Sequence, residues 1–111
     1  MTTHAELDHA GRRLGTLERC ALHRRTVSMT CPACGWERRF DAVALWWMFA
    51  RRGWDDGLPR VWRRFRCEGC WFRDGRVVRP RAAVTRDPPD ADQPTYPDQA
   101  SWKRLVSRYR S

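Results

Sequence analysis

A chain of 111 residues has the material for one compact domain with some tail and too little for a second independent core. Lys and Arg number 22 against 13 Asp and Glu, a formal charge of +9 in which Lys103 is the sole lysine. The balance favours a polyanionic partner such as nucleic acid or an anionic membrane surface, and the longest apolar run, residues 42–50, is about half the roughly 18 residues that a membrane-spanning helix needs.

The first 13 residues carry His4, Glu6, Asp8 and His9 without an apolar signal core, and are expected to form a flexible arm. Thr3-His4-Ala5-Glu6 has the form of a capping box, but the stripe behind it is weak. Thr16 is placed to cap a short helix over 17–23, and residues 24–31 alternate around Val27 and Met29 as a strand does. A second strand over 36–40 leads to Asp41, an N-cap, and to a helix over 42–52 that stops at Gly53. Val43, Leu45, Trp46, Trp47, Phe49 and Ala50 spread over an arc of about 200°, wider than a surface helix shows, so this helix is buried on two sides or presents a sticky face.

Leu58, Val61, Trp62 and Phe65 stand at i, i+3, i+4 and i+7 and predict a second helix over 58–66, with Pro59 tolerated in its first turn. Residues 71–78 are expected to form a last strand. Five of the seven prolines fall between Pro80 and Pro97, a linker composition, and the domain boundary is placed near residue 80. The organisation expected is therefore an arm over 1–13, a domain over 14–80, a linker over 81–99 and a short basic amphipathic helix over 100–111. In that last segment Trp102, Leu105, Val106 and Tyr109 repeat at helical spacing and Ser101 is the expected cap. Its apolar stripe needs a dock, and the wide face of helix 42–52 would serve.

The pattern that carries chemistry is two Cys-x-x-Cys pairs, Cys31/Cys34 and Cys67/Cys70. Four thiolates complete a closed tetrahedral site for one structural zinc ion, and in a reducing, cytoplasmic compartment paired thiols bind metal more often than they form disulfides. Bound zinc with its thiolates would bring the net charge to about +7. A domain this small is marginal on core packing alone, which makes a metal staple useful. Cys20, on the apolar side of its helix, is expected in the core, and His23 is an unneeded fifth donor.

Cys31-Pro32-Ala33-Cys34-Gly35 resembles the knuckle of zinc ribbons and of rubredoxins, which hold iron on the same donor set. The second pair departs from it, with Gly69 before Cys70 and Trp71 in place of the knuckle glycine. More broadly, residues 14–80 resemble small bacterial proteins in which two Cys-x-x-Cys turns bracket a helical hairpin. The resemblance implies an α+β, zinc-ribbon-like fold with a flexible basic C-terminal tail and brings no activity with it.

No phosphate loop, nucleophile elbow or metalloprotease or deaminase motif is present in the sequence, so a non-enzyme is expected. The leading expectation is a nucleic-acid-binding or regulatory module in which Arg24, Arg25, Arg38, Arg39, Arg60, Arg63, Arg64 and Arg66 neutralise phosphates; the plainer alternative is that these arginines form a solvated helix face. A protein-interaction module would use Trp46 and Trp47 of helix 42–52 with Trp102, Leu105 and Tyr109. A rubredoxin-like electron carrier needs iron in place of zinc.

Overall fold

The structure, a computed structural model, describes residues 6–8 and 11–110; the expected capping box and both His4 and His9 fall largely outside them. The elements run α1 (Leu17–Leu22), β1 (Thr26–Thr30), β2 (Glu37–Asp41), α2 (Ala42–Arg52), α3 (Leu58–Val61), α4 (Glu68–Asp74), β3 (Arg81–Thr85) and α5 (Gln99–Arg110). The three strands form one antiparallel sheet in the order β2-β1-β3.

Local chemistry explains the first half. Thr16 accepts the Arg19 N–H at 3.2 Å to start α1, and Asp41 accepts the Val43 N–H at 2.9 Å to start α2. Gly53, at φ 65°, ends α2 in the left-handed conformation that a side chain disfavours. In β1, Val27 and Met29 face the core, while Thr26 and Ser28 lie buried on the opposite face. The chain leaving β3 covers that second face: the Thr26 hydroxyl donates to the Asp87 carbonyl at 2.6 Å.

The chain after Pro80 departs from the linker its composition predicts. Ala82 and Val84 turn inward from β3 onto the core, an alternation legible in the residues themselves. Beyond β3, the Arg39 N–H donates to the Asp90 carboxylate at 3.0 Å and the Asp41 N–H to Gln93 Oε1 at 2.9 Å. Residues 90–93 thereby occupy the outer edge of β2, which would otherwise present unpaired backbone groups.

The helical hairpin is a second correction. After α3 the backbone tightens into a single 3-10 turn, Trp62–Arg64, and Phe65 is extended. The break places the Phe65 ring 5.4 Å from that of Phe40 and 6.1 Å from that of Phe49, which a continuous helix to residue 66 would not allow. The last strand expected over 71–78 is instead the end of α4 and the loop behind it.

The tail is a docked helix. In α5 the cap is Asp98, which accepts the Ser101 N–H at 2.6 Å, and Ser101 itself is buried one turn inside. Leu105 enters the main core at 1% exposure, and the Trp102 ring stands edge-on to Trp46 at 6.0 Å. Part of the wide apolar arc of α2 is thereby accounted for: α1 and the sheet pack on the helix, and α5 meets it through Trp102 against Trp46. Leu105→Ala should therefore lower the unfolding free energy by about 2–4 kcal/mol in a urea titration of metal-loaded protein, with metal content unchanged. An unaltered urea midpoint would show that α5 contributes no packing energy.

Candidate metal centre

Cys31 closes β1, and the turn that follows is tied by the Cys31 N–H to the Trp36 carbonyl at 2.7 Å and by the Gly35 N–H to the Cys31 carbonyl at 3.0 Å. Gly35 has φ 81°, so only glycine takes this position without backbone strain. The second pair is built differently. Cys67 is the N-cap of α4, its sulfur accepting the Cys70 N–H at 3.4 Å, and Cys70 sits in the first helical turn. The Cys67 N–H is held by the Val78 carbonyl at 2.8 Å.

These two turns bring all four Sγ atoms within 4.8 Å of one another. Cys31 Sγ lies 3.8 Å from Cys70 Sγ and Cys34 Sγ lies 3.5 Å from Cys67 Sγ. A tetrahedron with metal–sulfur bonds of 2.3 Å has edges of about 3.8 Å, so the spacing fits a four-thiolate metal ion. Cys31, Cys67 and Cys70 are buried and Cys34 is exposed, with Trp36 and Val78 packed against the buried three.

The thiols are poised unequally. At Cys31 burial works to raise the pKa, but the N–H donors of Cys34 and Ala33, with the neighbouring thiols, outweigh it and bring it down to about 6. Burial pushes Cys67 up, and pushes Cys70 up to about 12 with help from the surrounding thiols. Gathering four thiolates in so dry a place would need a compensating cation, which a metal ion would supply.

The eight arginines selected by sequence differ in their surroundings. Arg25 donates to the carbonyls of His23 and Leu7, Arg38 pairs with Asp92, Arg39 with Glu37 at 3.1 Å and Arg60 with Asp55 at 2.6 Å. Burial lowers the Arg25 pKa, whereas the Asp55 hydrogen bond raises that of Arg60. Arg24 lies 4.9 Å over the Trp102 ring. Arg63, Arg64 and Arg66 are exposed, lie over Trp62, Trp54 and Trp71, and have no carboxylate partner among the described residues. Sequence reasoning missed Arg52, which lies over the same Trp54 ring as Arg64, at 4.8 and 4.6 Å. Its position just before Gly53 was the available signal.

The expected interaction residues differ in exposure, and Tyr109 remains 45% exposed. Trp46 and Leu105 are buried, Trp47 and Trp102 pack against the core, and the Tyr109 hydroxyl donates to Glu18 at 3.3 Å. No protein-family model matches the chain, and no curated protein or solved structure is significantly similar to it. No helix among the described residues is long and apolar enough to cross a membrane.

Cys20 stands apart: it lies in the main core at 0% exposure, and burial raises its pKa to about 12. The sulfur cluster and the main core are separate clusters of buried residues. After chelation, four cysteines should react rapidly with a thiol reagent while Cys20 reacts only at the rate of global unfolding. Hydrogen exchange should show early loss of protection at Trp71 and Gly75 with β1 still protected. Uniform reaction of all five thiols would show the two clusters to be one cooperative unit.

Proposed function

We propose that the chain is a non-catalytic, zinc-stapled module that binds nucleic acid through its phosphates. Four thiolates leave no open coordination position for chemistry on a substrate, which argues for a structural ion. Zinc is preferred to iron because the basic surface and the helical insertion between the cysteine pairs are unlike a rubredoxin-type carrier.

The observation that carries the binding reading is the run Arg63, Arg64 and Arg66, exposed and free of carboxylate partners among the described residues, directly before Cys67. Arginines committed to the fold are paired with acids or carbonyls; these three rest on tryptophan rings and keep their charge available. The metal fixes the segment that follows them, so the patch is held on a rigid support.

Metal analysis of purified protein should return one zinc per chain and no visible absorbance from iron. If three phosphates are neutralised, affinity for an oligonucleotide should fall roughly 15- to 40-fold between 50 and 200 mM salt. Replacing Arg63, Arg64 and Arg66 with Ser should flatten the logarithmic salt slope by about 2 to 3. No binding at 50 mM salt, or binding indifferent to salt, would sink the reading.

A further inference from the structure

Aromatic rings that stack on bases must be uncovered, and the arginine-rich face uses most of its own rings as seats for guanidinium groups. The Arg66 guanidinium carbon is 3.8 Å from the Trp71 ring centroid, and Trp54 carries both Arg52 and Arg64. Tyr109 lies under Arg19, and the Tyr96 hydroxyl is bound to Asp41. Phe72 is barer than either. It is 79% exposed, with no cation over it and no ring against it among the described residues.

The position of Phe72 follows from the metal centre. In α4, Phe72 comes two residues after Cys70, about 200° round the helix, so the turn that aims Cys70 at the other sulfurs aims Phe72 away from them. Burying a thiolate on one side thereby forces an aromatic ring into solvent on the other. Arg66 and Arg76 lie close by in the chain, both exposed and free of carboxylate partners among the described residues. Glu68 is one turn back on the same face and is the single acid there; Arg73 is neutralised by Asp74 at 3.1 Å.

We infer that Phe72 is a base-stacking residue and that the ligand class is single-stranded or unpaired nucleic acid, with Arg63, Arg64 and Arg66 on the flanking phosphates. The inference rests on the phosphate-binding reading above and adds to it the state of the strand. A base is open to a side-chain ring only when it is unpaired, and stacking tolerates any sequence because every base has a π-face. An anionic bilayer is the weaker match: interfacial binding scales with buried apolar area, and this tip offers only Phe72 with the half-exposed Val77.

The test uses zinc-loaded full-length protein and fluorescence anisotropy with a labelled twelve-nucleotide single strand and the same sequence as a duplex. The single strand should bind more tightly. Phe72→Ala should weaken single-strand binding about 5- to 100-fold and leave duplex binding unchanged, and Phe72→Trp should restore it. Zinc content and thermal melt should be the same in all three proteins, because the ring contributes nothing to the core. Equal affinity for both forms, or a Phe72→Ala protein that binds the single strand as wild type does, would overturn the inference while leaving phosphate binding through the arginines intact. Failure to bind either oligonucleotide would overturn both readings. Phe72-dependent binding to vesicles of phosphatidylcholine and phosphatidylglycerol, with oligonucleotide binding insensitive to Phe72, would reassign the ring to a membrane.

Discussion

Four sulfur atoms within 4.8 Å have to be collected from two places far apart in the chain, and three of them are buried. Little apolar packing holds them there, since Trp36 and Val78 are the only partly buried hydrophobic residues against that cluster among those described. As thiolates they would repel one another in so dry a place, and a shared metal ion would be what holds the four together. Much of the far end of the molecule is fixed from this point. The Val78 carbonyl holds the Cys67 N–H and Arg79 reaches the Phe65 carbonyl, so residues 78–79 are pinned immediately before β3 begins. The register that sets Thr30 opposite Arg81 then lies beside Cys31, and the metal centre acts as the clasp at one end of the sheet.

The main core is a separate cluster of buried residues. It is made by α1, α2, the inner face of the sheet and α5, with Leu14, Leu17, Phe49 and Leu105 among its fully buried side chains. Phe65 links the two regions: its ring packs on Phe40 and Phe49 while its neighbours in sequence, Arg64 and Arg66, point outward over tryptophans. The break in the helix after Val61 is what permits this alternation, because an extended residue sends its neighbours to the opposite side. A stretch that is poorly regular as secondary structure is thus the one that joins the core, the exposed arginines and the metal centre.

Where a segment carried both its start and its stop in its own residues, the sequence was enough. Asp41 and Gly53 bracket α2, and Thr16 marks the beginning of α1, because capping is a local hydrogen-bond requirement. The cysteine set was legible for a similar reason: spacing alone brings two sulfurs together, and number supplies the rest. The failures are segments whose conformation is decided elsewhere. Trp71 and Phe72 suggest a strand by propensity, but Cys67 caps a helix and Gly75 closes it, so tertiary geometry overrides preference. Composition hid β3, since the prolines around it speak for a linker while Ala82 and Val84 pair it with β1. Arginine identity hid the surroundings in the same way, because nothing local separates Arg60, spent on Asp55, from Arg64, resting on Trp54.

That division changes what the net charge of +9 means. A positive surface costs self-repulsion, and most proteins relieve it with carboxylates, which also cancel the field. Here several guanidinium groups are relieved by tryptophan rings instead. A ring face stabilises the cation through its quadrupole and adds no opposing charge, so the potential persists at the surface. Trp54, set against Arg52 and Arg64, concentrates two such charges on one side chain. Tryptophan and arginine here act together: rings that would otherwise be exposed apolar area are covered, and the charges that cover them are not cancelled. Phe72 escapes this cover because the first turn of α4 aims Cys70 toward the other sulfurs and Phe72, about 200° round the helix, away from them.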